Sequence, residues 1–214
     1  MYTGILPIIP PGSRAGKGES GVHVAALGGG HGLAASLSAL RLLTGNLTAV
    51  VTVADDGGSS GRLRDELGVL PPGDLRMALA ALCDDTDWGR TWRDVMQHRF
   101  ASRDGIKGSL DNHALGNLLI VTLWELLGDT VAGLRWAGAL LGASGQVLPM
   151  ASVPLTIEGQ VRQDRADGTH IRRTITGQAT LPSPVRWKTS GCCRKTLPPA
   201  RKPSTPSMKP TGWF

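Results

Sequence analysis

Cysteine is scarce in this sequence. The 214 residues include three cysteines, and only Cys83 lies outside the last 37 residues. A single cysteine excludes a disulfide framework there and fits a reducing compartment. Long apolar runs are also lacking: none approaches the roughly 20 residues of a membrane span, and Ile5–Pro11 is too short and proline-broken for a signal peptide. We therefore expect a cytoplasmic protein without a membrane span.

Acidic residues are absent from one part of the chain, and this absence locates the net charge. The formal charge is +6, from 23 basic and 17 acidic side chains. Gln178–Phe214 holds 7 basic residues and no acidic ones. The preceding part therefore holds 16 basic and 17 acidic residues, which gives it a net charge of −1. The total suggests a nucleic-acid partner, but the near-neutral body gives no broad positive field. We expect no nucleic-acid partner.

Shifts in composition divide the chain into three parts. Residues 1–21 are rich in proline, glycine and serine and are expected to be a disordered extension. Residues 22–177 are long enough for one domain with a hydrophobic core. Residues 178–214 carry seven of the fourteen prolines and show no periodicity that could lay an apolar face on that core. We expect this basic tail to be disordered.

The elements predicted after residue 22 favour an α/β fold. His23–Leu27 is a short apolar run that leads into glycines, and leucines at helical spacing follow as far as Leu40. Ala49–Ala54 is a second strand with apolar residues on both faces, as in parallel strands covered by helices. This order opens a doubly wound sheet. We predict a Rossmann-like, mostly parallel sheet with helices on both faces, incomplete in this chain.

Helices and a hairpin are predicted further along. Asp74 and Asp129 are placed to N-cap helices, the first with an apolar stripe of Leu75, Leu79 and Leu82. The stretch 88–100 is expected to be a helix between them. Another helix is predicted on an apolar stripe formed by Leu115, Leu118, Leu119, Thr122 and Leu126. An Asp167–Gly168 turn is expected to join two extended segments.

Glycines follow the first predicted strand at Gly28–Gly32. Glycine lets backbone N–H groups approach a phosphate, and the helix N-terminus that follows adds about half a positive charge. No Lys-Ser/Thr pair follows, which argues against a P-loop, and Gly28-x-Gly30-x-x-Leu33 lacks the third glycine of the dinucleotide fingerprint. The turn alone leaves a phosphate site and a structural turn both open.

Two adjacent carboxylates, Asp55 and Asp56, follow the second predicted strand. Open α/β sheets bind ligands at this carboxyl edge, where the pair could hold Mg²⁺ or accept hydrogen bonds from a sugar or base. Asp-Gly is equally common as turn chemistry. Arg62 and Arg64 could clamp a pyrophosphate, or pair with neighbouring acids on an exposed helix face. The residues alone leave these alternatives open.

A histidine and an amide, His113 and Asn117, stand at the start of a predicted helix. They could reach a ligand beside unpaired backbone N–H groups, or the histidine could be a cap or packing residue. The sequence holds no Ser-His-Asp order, HExxH motif or CxxC pair, so hydrolase and zinc interpretations lack support. We assign no catalytic residue.

Four motifs stand in order along the chain: Ala26–Leu33, Val51–Arg64, Pro71–Arg76 and His113–Leu119. Together they resemble the gluconeogenesis factor family (YvcK-like), in the superfamily named after the 2-phospho-L-lactate transferase CofD. The resemblance implies a cytoplasmic, UDP-sugar-binding regulatory factor for cell shape and envelope precursor supply under gluconeogenic growth, rather than an enzyme. The alternative is a Mg²⁺-dependent transferase, which catalyses either a phospholactate-type transfer or nucleotidyl transfer to a sugar phosphate.

The resemblance also implies a set of site residues. The diphosphate would lie on the glycine turn, Asp55 and Asp56 would face the ligand and could hold Mg²⁺, and His113 with Asn117 would close the pocket. The ligand-binding candidates are Gly28, Gly29, Gly30, His31, Gly32, Asp55, Asp56, Gly57, Ser59, Ser60, Arg62, His113 and Asn117. The implied ligand is UDP-N-acetylglucosamine or UDP-glucose, and the implied partners are envelope-precursor enzymes.

The basic tail departs from the family, whose members continue here into acidic, regular α/β sequence. Back-translating Thr180–Gly212 with permissible codons and reading one base earlier gives an acidic, helix-competent string close to that continuation. A frameshift would therefore explain both the departure and the charge of residues 178–214. The alternative is a genuine disordered tail that binds nucleic acid or an anionic membrane.

Overall fold

A computed structural model describes residues 21–102, 108–164 and 170–177. The predicted disorder of the N-terminal extension up to residue 20 and of the basic tail falls outside these residues. The predicted Asp167–Gly168 turn falls outside them as well. The fold described below concerns the predicted central domain.

The described residues form five strands and six helices. The strands are β1 (Val24–Gly28), β2 (Leu47–Val51), β3 (Gln146–Pro149), β4 (Glu158–Asp164) and β5 (His170–Thr176). The helices are α1 (Gly30–Leu40), α2 (Gly58–Leu67), α3 (Gly73–Leu82), α4 (Asp87–Gln97), α5 (Leu115–Leu127) and α6 (Thr130–Leu141).

A parallel three-stranded sheet in the order β1-β2-β3 lies at the centre of the fold. In its register, Leu27 pairs with Val50, and Val50 pairs with Leu148. Parallel neighbours need a crossover connection, which α1 supplies between β1 and β2, and the other helices supply between β2 and β3. The α/β prediction is confirmed, and the carboxyl ends of all three strands meet at one edge.

Helices α1, α3 and α6 pack against this sheet. Ala49, Val51 and Val147, which alternate along β2 and β3, are at most 4% exposed. The leucine stripe of α3 that meets them is buried as predicted, with Leu75, Leu79 and Leu82 at most 1% exposed. The core therefore lies between the sheet and these helices, and it fixes the sheet edge where the candidate site is found.

A separate hairpin follows the sheet, in which β4 and β5 pair antiparallel with Glu158 opposite Thr176. Extended structure is predicted around these residues, and the hairpin is confirmed apart from its turn. No helix in the described part of the chain has the length and apolar character needed to cross a membrane.

Helix α5 forms where predicted but buries a different face. Thr122 is exposed and Leu126 is 77% exposed, whereas the buried residues are Gly116, Asn117, Ile120, Val121 and Trp124. The predicted stripe is only partly right: Leu118 and Leu119 are half-buried and pack against the core, but the fully buried face of α5 is a mixed one. Gly116 lets the Arg76 stem lie against the helix, since an added Cβ would be 2.8 Å from the Arg76 Cδ atom. That contact brings polar Asn117 inside.

The two aspartates predicted as helix caps have different roles. Asp129 is the N-cap of α6 and accepts the Ala132 N–H at 2.8 Å, which confirms the prediction. Asp74 lies in the first turn of α3, because Pro72 occupies the N-cap. The Asp74 carboxylate accepts the Gly30 N–H at the start of α1 instead. The predicted cap of α3 is therefore wrong, and Asp74 joins two helix starts.

Candidate functional site

A polar pocket of about 260 Å³ opens just beyond the carboxyl end of β2. It is lined by Asp55, Gly57, Gly58, Ser59, Ser60, Gly73, Asp74, Arg76, Met77, Arg99 and Asn117. These residues come from the loop after β2, the first turns of α2, α3 and α5, and the segment after α4. The pocket therefore lies at the edge where open α/β sheets bind ligands.

Asp55 and Asp74 supply two carboxylates to this pocket. Oδ1 of Asp55 accepts the Gly57 N–H at 3.0 Å. Burial and the nearby Asp55 charge raise the pKa of Asp74, against smaller opposing effects of the Gly30 N–H, Arg76 and His31. Mg²⁺ is bound in proteins through one or two carboxylates together with phosphate oxygens. The oxygen donors and their mutual repulsion fit a cation held between the two side chains.

Asp74→Asn is expected to raise the free energy of unfolding near neutral pH. The amide oxygen can still accept the Gly30 N–H, while the repulsion from Asp55 is removed. Because the native pKa of Asp74 lies above its ordinary 3.8, the native state holds this proton more tightly than the unfolded chain. Asp74 therefore makes wild-type stability fall as pH rises from 3.8 through the native pKa.

Urea denaturation of both proteins at a series of pH values tests this expectation. The stability gap between variant and wild type should be small below pH 3.8, widen as pH rises from there to the native pKa, and stay constant once the native carboxyl is ionised. A gap that is the same at every pH would contradict the assignment.

Behind the pocket, four side chains form a directed chain of hydrogen bonds. Arg76 Nε donates to Asn117 Oδ1 at 2.9 Å, and Asn117 Nδ2 donates to Ser59 Oγ at 3.0 Å. Arginine has no acceptor, so it fixes the orientation of the amide. Ser59 Oγ also accepts the Ala114 N–H at 3.3 Å, which fills its second acceptor position. Its proton therefore points to His113 Nδ1, 3.1 Å away.

His113 is consequently neutral, with its proton on Nε2. Burial lowers its pKa, and Arg62 and Arg99 act in the same direction against Glu66. Asn117 lines the pocket, whereas His113 lies behind Ser59 and is not among the lining residues. Of the pair predicted to close the pocket, Asn117 can meet a ligand and His113 orients the serine.

The glycine turn lies beside the pocket, and Gly28–Gly32 are not among the lining residues. An added Cβ on Gly29 would lie 3.3 Å from Asp74 Cγ and closer to the Thr52 side chain. The turn therefore needs glycine for a structural reason, the close approach of Asp74. The phosphate cradle predicted here stays a prediction.

Asp56 and Arg62 are also absent from the pocket lining. Arg62 donates to the Asp111 carbonyl at 2.6 Å, and Arg64 donates to the Leu155 carbonyl at 3.0 Å. Both arginines thus connect α2 to segments that are distant in the sequence. The sequence analysis considered a pyrophosphate clamp and pairing with neighbouring acids, but not these contacts. Among the other predicted residues, Asp55, Gly57, Ser59 and Ser60 do line the pocket.

Sequence reasoning missed the two cationic residues of the pocket, Arg76 and Arg99, and the second carboxylate, Asp74. Asp74 and Arg76 stand in the Pro71–Arg76 motif, and an acid and a base at a helix start could have drawn attention to them. Arg99 carries no comparable signal, because the turn after α4 brings it to the pocket only in the folded chain.

A parallel α/β sheet with a charged pocket at its carboxyl edge defines a Rossmann-like protein with a candidate ligand site. The chain belongs to the family described as 2-phospho-L-lactate transferase CofD, whose model matches residues 24–192. This range ends within the segment predicted as the basic tail.

Similar proteins carry the name gluconeogenesis factor. A Mycobacterium tuberculosis protein is 56% identical over 166 residues, covering 76% of this chain and 47% of the relative. A Bacillus subtilis protein is 38% identical over 159 residues, which cover 74% of this chain and 45% of the relative. A crystal structure from Bacillus halodurans, described as a member of the upf0052 family, is 35% identical with a TM-score of 0.54, covering 71% and 46%. The chain thus spans about half the length of these relatives.

Proposed function

We propose that this chain binds a UDP-sugar, such as UDP-N-acetylglucosamine or UDP-glucose, with its diphosphate in the pocket between α2 and α3. The observation that carries the proposal is the meeting of two guanidinium groups, Arg76 and Arg99, with two carboxylates in one pocket. Guanidinium groups recognise phosphate oxygens. At about 260 Å³, the pocket is smaller than most small-molecule sites, so the uridine and sugar extend beyond it.

Mg²⁺ completes this arrangement in the proposal. Asp55 and Asp74 would hold the ion against the diphosphate, and the ion would neutralise charge on both sides. The ion also explains how a diphosphate can enter a pocket that already holds two carboxylates. This uses Asp74 where the sequence suggested Asp56.

The biological role that we propose is regulatory. Relatives that share more than half of their aligned residues with this chain, such as the mycobacterial protein, are named gluconeogenesis factors. A protein that senses a UDP-sugar can adjust envelope precursor supply, and hence cell shape, when carbon arrives through gluconeogenesis. Enzymes of envelope-precursor synthesis are the partners through which it would act.

A transferase is the second candidate, and the carboxylate pair favours it. Two carboxylates that hold Mg²⁺ beside a phosphate are a common arrangement in phosphoryl and nucleotidyl transfer. The matching family is also described by a transferase activity. The Asp55→Asn variant separates the two candidates. If it retains UDP-sugar affinity but loses phospholactate transfer or nucleotidyl transfer to a sugar phosphate, the enzyme is favoured. Binding without any turnover favours the regulator.

Isothermal titration calorimetry tests the proposal. UDP-N-acetylglucosamine and UDP-glucose are titrated into the chain with and without MgCl₂. We expect saturable 1:1 binding by at least one of them that Mg²⁺ strengthens about tenfold or more. Asp55→Asn should remove that enhancement, whereas Asp129→Asn, which alters an exposed helix cap, should retain it. No saturable heat from either sugar nucleotide, with circular dichroism showing folded protein, would contradict the proposal.

A further inference from the structure

We infer that the N-terminus of α2, Gly58–Ser60, binds the phosphate, and that the glycine turn before α1 does not. The inference rests on the proposed function, because the phosphate is taken to be that of the UDP-sugar, and it names the subsite. The chemical class of ligand is a phosphate monoester or diphosphate group. Two independent observations support it, one from the helix backbone and one from a side chain.

The first observation is the open start of α2. The N-cap, Gly57, provides no side chain to cap the helix. The Gly61 N–H donates to the Gly57 carbonyl at 2.9 Å and begins the helical ladder, so the N–H groups of Gly58, Ser59 and Ser60 precede it. Such groups carry the positive end of the helix dipole and bind anions. Residues 57–60 all line the pocket.

The second observation is the Ser60 hydroxyl. Ser60 is only 3% exposed and lines the pocket, and no hydrogen-bond partner for its hydroxyl is found among the described residues. Ser60 Oγ is not one of the fully enclosed side-chain atoms that lack a partner in the described part of the chain, so it faces the space of the pocket. Ser59, its neighbour, is already engaged with Asn117, Ala114 and His113. The free hydroxyl of Ser60 is therefore the one left to donate to a ligand.

The start of α1 is a poorer anion site for an electrostatic reason. The Gly30 N–H is already accepted by the Asp74 carboxylate, so a phosphate at this turn would meet a negative charge. The start of α2 also has a carboxylate beside it, since Asp55 accepts the Gly57 N–H, but there the cationic groups of Arg76 and Arg99 line the same pocket. Burial lowers the pKa of Arg76 to about 10, which leaves it charged at neutral pH. Asn117 holds this guanidinium in place.

Calorimetric titration of the chain with pyrophosphate and with UDP-N-acetylglucosamine, both with MgCl₂, tests the inference. Ser60→Ala should weaken the binding of pyrophosphate by roughly 3- to 30-fold, the size expected for one hydrogen bond to a charged group. Ser36→Ala, a matched change on the exposed face of α1, should leave affinity within about twofold. The inference would be overturned if Ser60→Ala also kept its affinity for pyrophosphate within about twofold. It would equally be overturned if His31→Ala, at the glycine turn, lost more affinity than Ser60→Ala.

The two ligands separate this inference from the proposed function. Pyrophosphate binding that depends on Ser60, without UDP-N-acetylglucosamine binding, supports the subsite and counts against this sugar nucleotide. If the sugar nucleotide binds with the same affinity to the wild type and to Ser60→Ala, the proposed function is supported and the α2 subsite is contradicted. If Ser60→Ala fails to fold, amide NMR shifts of the wild-type chain on adding pyrophosphate decide. We expect the largest shift changes at the amides of Gly58–Ser60. The inference would be overturned if the largest changes occurred at Gly30–Gly32, or if pyrophosphate did not bind.

Discussion

Ser59→Ala is expected to lower the free energy of unfolding by about 2–4 kcal/mol. The hydroxyl of Ser59 accepts from Asn117 and Ala114 and donates to His113, and all three of these residues are at most 5% exposed. Removing it leaves three buried polar atoms without their partner, each at a cost of about 1 kcal/mol or more. Alanine's better helix propensity offsets only about 0.5 kcal/mol.

Urea denaturation followed by tryptophan fluorescence measures this loss, since Trp124 lies in the core. Ser36→Ala is the matched control, because Ser36 is exposed and its hydroxyl bonds only within α1, to the Gly32 carbonyl. The control should change stability by less than about 0.5 kcal/mol. Equal small effects of both substitutions would show that the hydrogen-bond chain behind the pocket does not contribute as described.

Gly61→Ala is expected to destabilise the protein by about 2 kcal/mol or more. An added Cβ would lie 2.6 Å from the Asp56 carbonyl carbon and closer still to its oxygen. Backbone atoms cannot swing away as a flexible side chain can, so α2 or the loop after β2 must shift. Alanine's helix propensity returns only about 1 kcal/mol. The same shift would move Asp55 and Ser60, so ligand affinity should fall with stability.

Gly32→Ala provides a control of opposite sign. Gly32 is also a helical glycine that follows a loop, but nothing lies within 4 Å of an added Cβ. There the helix propensity of alanine acts alone and should stabilise the protein by up to about 1 kcal/mol. Thermal melts of the two variants test the pair. Stability changes of the same sign would contradict the packing described for α2.

The parts of the fold that sequence patterns predicted are those fixed by local spacing. The strand, glycine turn and helix of β1 and α1, the stripe of α3 and the Asp129 cap follow from residues close together in the chain. The buried face of α5 does not, because Gly116 and Asn117 are inside through contacts with Arg76, Met96 and Ser59, which are distant in the sequence. Tertiary packing selected that face over the leucine-rich one.

The candidate site divides in the same way. Asp55 lies in the loop after β2 and Ser60 in the first turn of α2 that follows it, so the strand places them near the sheet edge, where the sequence suggested a ligand. Asp74 and Arg99 reach the pocket from α3 and from the segment after α4. No local sequence pattern predicts that these two residues lie in the same pocket. The role of His113 was hidden as well, because its partner Ser59 is 54 residues away.

A crystal structure of the chain with UDP-N-acetylglucosamine and Mg²⁺ tests the central claim most directly. We predict density for the diphosphate at the start of α2, within hydrogen-bond distance of the Ser60 hydroxyl and Arg76, and a metal ion between Asp55 and Asp74. A diphosphate lying instead on the Gly28–Gly32 turn, with the pocket between α2 and α3 unchanged, would contradict it.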